Sequence, residues 1–386
     1  MKKILKSDII STGLATFSMF FGAGNLLYPL QVGIVSGTSN WLGIIAFLIT
    51  AALMPLAGLI ALILFDGDYT SFFQRLGKIP GNFLIASCVL ILGPLIVIPR
   101  IVTLSHTMVG PFLPTMSPFV FSILFLGLTF LLSFRESKIM IVLGYIISPA
   151  LLISLGIIII KGLFMAHDTP PASLPNLPLF FKTLRIGYET VDLISAIFLS
   201  TMMITLLKKN FGATTENNVH SLALLGMKAG ILGLSLLGII YVGMSYISAF
   251  HGVGLPATSG ILFSTLSFKI LGSQWASIIA IAVSMACLST AIAMGALTAE
   301  YFENGLFKNK LHYIPCLALA LIASVPLSNR GLDAILSYTG GPITYIGYPV
   351  IIVLTFCNIA YKLFDFKPVK IPVFVTFIAS LISYLW

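Results

Sequence analysis

The chain has 386 residues, 58% of them hydrophobic and only 9% charged, with a formal net charge of +9 and a mean hydropathy of +1.07. Apolar runs of about 18 residues or more recur along its length, which excludes a soluble globular domain and marks a polytopic membrane protein whose solvent is the lipid bilayer. The positive charge does not indicate a nucleic-acid partner, because the basic residues sit in short connections between apolar runs and form no basic domain.

Eleven spans are predicted, at roughly 9–35, 41–65, 82–107, 118–133, 138–163, 186–207, 220–250, 275–302, 312–327, 341–361 and 371–386. With the N-terminus cytoplasmic, the cytoplasmic segments hold fourteen of the 21 Lys and Arg residues, among them Lys2, Lys3, Lys6, Arg75, Arg135, Lys138, Lys208, Lys209, Lys362 and Lys367. That excess sets the expected orientation in the membrane. The connections 66–81, 164–185 and 251–274 are too short to bury a core, so residues 1–386 read as one transmembrane domain.

Span one is interrupted at Phe21-Gly22-Ala23-Gly24-Asn25 and again at Pro29. In hydrocarbon every backbone N–H and C=O needs a partner, so a helix that surrenders its own bonds at mid-depth offers them to something else. The break therefore predicts a ligand site, with carbonyls available to a cation and amides to an anion.

The segment 168–178 carries four prolines and is expected to be extended, dividing five spans from the next five. An odd number of spans per half would invert the second half relative to the first, giving a 5+5 repeat of about 9–163 and 186–361 with an added helix at 371–386. Span six carries Tyr188, Glu189, Thr190, Asp192 and Ser195, a polar load that a lipid-facing anchor would not need.

In span eight, Ser289 and Thr290 are adjacent hydroxyls near mid-membrane. Together with the Ala286 carbonyl and freed carbonyls of span one they would form a small oxygen cage suited to a hard cation. A bland reading competes: such hydroxyls commonly bond to the i−4 carbonyl and permit close helix packing. Arg100 lies deep in span three, where a charge costs about 2.5–3.5 kcal/mol on insertion scales, and an acid such as Asp192 or Glu189 is its expected partner. The alternative is that Arg100 snorkels to the interface, as Lys228 is expected to do. Cys88, Cys287, Cys316 and Cys357 lie in or beside spans without ligand spacing and read as packing residues. The short sequence Asp66-Gly67-Asp68 reads as a turn capping span two.

Four motifs in one order resemble the branched-chain amino acid:cation symporter family of bacteria. They are Phe20-Phe21-Gly22-Ala23-Gly24-Asn25 with Pro29, Gly93-Pro94-Leu95 with Ile98-Pro99-Arg100, Gly187-Tyr188-Glu189-Thr190-Val191-Asp192, and Ala286-Cys287-Leu288-Ser289-Thr290-Ala291 with Ala299-Glu300-Tyr301-Phe302. The resemblance implies an all-α fold of the leucine-transporter type, in the APC superfamily, with helices one and six broken. It implies symport of leucine, isoleucine and valine, with methionine acceptable to the same apolar pocket. The coupling ion is expected to be Na+, held by Ser18, Phe21, Ala286, Ser289 and Thr290, and no organic cofactor is expected. The substrate would meet Gly22, Ala23, Gly24, Asn25, Tyr188, Thr190, Asp192 and Ser195, with Arg100 as a gating residue.

Proton coupling through Asp192 or Glu189 is the nearest alternative. A membrane enzyme acting on lipid and a passive channel or scaffold are the readings from other classes.

Overall fold

A computed structural model describes residues 6–134, 148–166, 169–211, 216–252, 254–255 and 261–385. Lys2, Lys3, Arg135, Lys138 and the first part of the span expected at 138–163 lie outside the described residues, as does Trp386. Among the described residues the chain is helical throughout and has no strand. Six helical stretches are long and apolar enough to cross a membrane, and shorter apolar helices of 10–17 residues accompany them. Large side chains such as Phe83 and Leu131 are about 70% and 68% exposed. An apolar rim of this kind suits a bundle whose outer face meets hydrocarbon.

Span one is two helices, α1 (Lys6–Phe20) and α2 (Ala23–Ser36). The gap is narrower than the sequence suggests: Ala23, Gly24 and Asn25 already form the first turn of α2, and Pro29 sits inside that helix without ending it. Asn25 is the cause of the early restart. Its side-chain Oδ1 accepts the Gly22 N–H at 2.7 Å, while its own N–H donates to the Gly22 carbonyl at 3.1 Å, which caps the new helix reciprocally.

Span two comprises α3 (Asn40–Leu48), a π-helical turn and α4 (Met54–Leu64), ended by Asp66 and Gly67 at φ 56° and 83°. The Asp66-Gly67-Asp68 turn caps this span as expected, the Gly67 and Asp68 N–H groups donating to the Leu62 and Phe65 carbonyls, and the Asp68 side chain has a second role. It accepts from the N–H groups of Thr70 and Ser71 at 2.8 and 3.2 Å and so starts α5 (Tyr69–Gln74), a short helix the sequence reading leaves as loop. Arg75, just beyond α5, reaches the last long helix of the chain, donating to Asn358 Oδ1 at 2.9 Å and to the Lys367 carbonyl at 3.0 Å.

Span three runs from α6 (Lys78–Leu90) through a non-helical Gly93 and Pro94 into α7 (Val97–Val109). Proline lacks the N–H that would continue the ladder, which fixes the kink about two turns ahead of Arg100. Then come α8 (Pro118–Ser133) and α9 (Ser148–Phe164).

Span six begins at Asn176, ten residues before its expected start, as α10 (Asn176–Tyr188), and resumes as α11 (Asp192–Phe211). Lys182 and Arg185 made its first turns look like loop, but both are exposed and lie on the outside of the helix. Residues 191–200 are all buried, so the polar load of span six does face protein.

The rest comprises α12 (Glu216–His251), α13 (Leu262–Leu271), α14 (Ser273–Tyr301), α15 (Tyr313–Ser328), α16 (Leu332–Tyr338), α17 (Tyr348–Phe364) and α18 (Lys370–Leu385). The helix α13 lies within the connection 251–274, which the sequence reading treats as polar loop. Between α16 and α17 a second Gly-Pro kink falls at Gly341-Pro342. In the packing, α1 and α2 run along α12, α11 along α4, α14 along α7 and α10 along α3. The breaks of spans one and six are thereby brought to the middle of the bundle.

Candidate functional site

The two breaks touch. Asn25, in the first turn of α2, donates through Nδ2 to Asp192 Oδ2 at 2.7 Å, and Asp192 opens α11. Tyr241 of α12 completes a triad: its hydroxyl donates to the same Asp192 oxygen at 2.8 Å and is in hydrogen-bond contact with Asn25 Nδ2. All three side chains are buried, Asp192 to 3% exposure. A carboxylate at this depth is tolerated only when its oxygens are met by donors, which the amide and the phenol supply.

The break in span six can be accounted for group by group. The Glu189 and Thr190 carbonyls accept from Arg100 Nη1 and Nη2 at 2.9 and 3.1 Å. Thr190 Oγ1 donates to the Gly187 carbonyl at 2.9 Å and accepts the Asp192 N–H at 3.3 Å. The Leu193 N–H donates to the Tyr348 hydroxyl at 3.1 Å. Val191 is held at φ 59°, a left-handed conformation that a β-branched residue rarely adopts. The neighbours just named over-determine the turn that imposes it.

Arg100 is 3% exposed, so it does not snorkel. Among the described residues it makes no ion pair with an acid: in place of its expected partners Asp192 and Glu189 it holds two backbone carbonyls of the unwound turn. The planar guanidinium matches two adjacent carbonyls, and the exposed ends of a broken helix provide them. Its Nη1 also approaches the Tyr28 hydroxyl at 3.4 Å, while its Nε is buried with no acceptor among the described residues. Gly24 allows the guanidinium in. A Cβ there would stand 2.9 Å from Arg100 Nη2 and 3.2 Å from Tyr28 Cε2, whereas one on Gly22 would find ordinary contacts at 3.5 Å and beyond.

On the opposite side of the first break, Thr290 Oγ1 of α14 donates to the Phe21 carbonyl at 3.0 Å and lies 3.2 Å from the Ala286 carbonyl. Ser289 Oγ donates to that same Ala286 carbonyl at 2.7 Å. Because the Gly22 N–H turns to Asn25, the Ser18 carbonyl one turn back loses the amide that would have closed its helical bond. The Phe21 and Ala286 carbonyls and the Ser289 and Thr290 hydroxyls are thus linked by hydrogen bonds, and Ser18 is buried in α1. Neutral oxygens in this number suit a small hard cation.

The remaining expected residues contribute less directly. Tyr188 is half-buried and packs against Tyr348 with ring centroids 4.9 Å apart and planes tilted by 30°, and the Ser195 hydroxyl is spent on the Val191 carbonyl at 3.2 Å. Of Ala23 only its backbone place at the start of α2 is described. Tyr28, Tyr241 and Tyr348 are missed by the sequence reading. Their signal was a phenol deep in an apolar helix, whose hydroxyl must find a partner when buried.

The chain matches the family model described as branched-chain amino acid transport protein over residues 5–385. The protein belongs to that family. It is 29% identical to the branched-chain amino acid permease BraB of Bacillus subtilis, over 92% of this chain and 81% of the relative. To the permease BrnQ of the same organism it is 28% identical, covering 95% and 84% of the two chains. Among solved structures, a manganese transporter of Eremococcus coleocola superposes with a TM-score of 0.61 over 98% of this chain and 87% of that one, at 14% identity. That likeness speaks for the fold alone. Membership of the branched-chain amino acid transport family decides against the membrane-enzyme reading.

Proposed function

We propose that this protein is a secondary symporter that carries leucine, isoleucine and valine into the cell with Na+ by alternating access. Family membership supports the substrate class, and the named relatives are permeases for branched-chain amino acids. The observation that carries the ion assignment is the Thr290 hydroxyl on the Phe21 carbonyl, which closes span eight over the break of span one. A sodium ion among Ser18, Phe21, Ala286, Ser289 and Thr290 would hold these helices together and preorganise the pocket at Gly22, Ala23, Gly24 and Asn25. Asp192 and Thr190 would meet the substrate's charged end, while Arg100 would gate by releasing or regripping the unwound carbonyls of span six. An apolar pocket separates aliphatic side chains by only about 1–3 kcal/mol per methylene, so methionine is expected as a weaker substrate.

In this reading residues 9–163 and 186–361 are the two inverted halves, joined at mid-membrane by Asn25 and Asp192. The N-terminus is cytoplasmic. Radiolabelled leucine uptake into proteoliposomes tests the proposal: uptake should require an inward sodium gradient. In Ser289→Ala/Thr290→Ala the apparent sodium affinity should fall while the protein still inserts. Uptake indifferent to sodium would refute the ion assignment.

The Asp192 triad favours one competing reading, proton coupling, because a buried carboxylate held by two neutral donors can exist in either protonation state. Uptake that follows an imposed pH gradient in sodium-free buffer would establish that reading instead.

A further inference from the structure

A cavity of about 490 Å³ lies against the second break, walled by α10, the Gly341 kink with the start of α17, and α18. It falls in the size range of small-molecule pockets, roughly 300–1,000 Å³. Its lining includes Arg185 and Glu189, the aromatic Tyr345, the apolar Leu184 and Pro349, and the hydroxyl of Ser380. The Arg185 guanidinium lies 5.0 Å from the centre of the Tyr345 ring, which restrains its plane while leaving its donors free to point elsewhere. The Glu189 carboxylate abuts Gly340, at 3.5 Å from where a Cβ would stand, and makes no hydrogen bond or ion pair among the described residues. An arginine and a carboxyl group thus line one cavity without an ion pair between them, beside apolar surface. A free amino acid carries the complement of all three.

We propose that this cavity is a second substrate site, where a branched-chain amino acid is held with its carboxylate on Arg185, its ammonium on Glu189 and its side chain on Leu184 and Pro349, before passing to the central site. The inference rests on the transport reading above. Glu189 joins the two sites: it lines the cavity, and its backbone carbonyl is one of the two gripped by Arg100. Occupancy of the cavity therefore acts on the residue whose carbonyl the gating arginine holds. The same combination of ammonium, anion and apolar chain occurs in a phosphatidylethanolamine headgroup, so the test separates the two.

The measurement is equilibrium binding of radiolabelled leucine, in sodium chloride, to the purified full chain in nanodiscs of phosphatidylglycerol. The expected stoichiometry is two leucines per chain. Arg185→Gln should bind one, with the remaining affinity changed less than twofold, and Ser380→Phe, which fills the cavity from α18, should do the same. A wild-type stoichiometry of one, or two leucines still bound by both variants, would overturn the inference and leave the transport reading standing. No binding at all would overturn both. Adding phosphatidylethanolamine should leave two leucines bound; a drop to one would assign the cavity to the lipid headgroup and overturn the amino-acid assignment.

Discussion

Asn25 Nδ2 and Asp192 Oδ2 stand 2.7 Å apart, so a single hydrogen bond joins the interrupted middle of span one to that of span six across 167 residues of sequence. Both helices lose their ladders where they meet. The bond gives Asp192 a donor that helix geometry alone could not, and it aligns two backbone breaks on one point.

Removing the charge should separate fold from transport. Asp192→Asn keeps an oxygen to accept from Asn25 and Tyr241, so the protein should still purify as a monodisperse species, while leucine uptake falls about tenfold or more, the scale of a charge-assisted hydrogen bond. Asn25→Ala should be worse for stability, because it also strips the acceptor from the Gly22 N–H, at a cost of about 1–3 kcal/mol. Thermal unfolding followed by size-exclusion fluorescence compares them. Equal melting of the two variants would count against this role for Asn25.

Gly24 and Gly22 should respond differently to alanine. Gly24→Ala drives a methyl group into Arg100 and Tyr28 and should destabilise by about 1–3 kcal/mol, the usual cost of overpacking. Gly22→Ala meets only ordinary contacts, and its extended backbone, at φ −116°, accepts an L-residue. Its melting temperature should match that of the parent protein. The same thermal assay reads both.

Arg100→Lys should not rescue Arg100→Ala. An ammonium cannot span two adjacent carbonyls as the planar fork does, so one of the Glu189 and Thr190 oxygens is left unmet, at roughly 1–3 kcal/mol. Both variants should lose at least about nine-tenths of leucine uptake, which on the same scale is about 1.4 kcal/mol or more. Near-normal uptake with lysine would show that only the charge matters.

At position 191 the usual order of glycine and alanine should reverse. Each removes the buried valine side chain, but alanine keeps the left-handed strain of about 1–2 kcal/mol, while glycine loses it for an entropic cost of about 0.5–1 kcal/mol. Val191→Gly should therefore melt above Val191→Ala. The opposite ranking would mean that the turn relaxes when the valine is shortened.

The sequence made the first break and the hydroxyls packed against it legible, because Gly22, Gly24, Asn25, Ser289 and Thr290 are conspicuous inside apolar runs. It could not show what Arg100 binds. Backbone carbonyls exist at every position, and nothing in the residue types marks which of them a broken helix will expose. Tyr241 was hidden for the opposite reason: a chain with 13 Tyr and 29 Phe gives one phenol no prominence until its neighbours are known. The kinks at Gly93-Pro94 and Gly341-Pro342 were present as Gly-Pro pairs, and span six was entered late because the exposed Lys182 and Arg185 depress its hydropathy.

Arg75 has a bearing on how the whole bundle can move. Its guanidinium lies 3.8 Å from the Tyr361 ring centre and bonds to Asn358, whose amide in turn donates to the Phe72 carbonyl at 3.0 Å. The segment after span two and the far end of span ten are thereby riveted into one rigid plate. In the alternating-access reading proposed above, this link is expected to make the cytoplasmic ends of spans two and ten move as one body.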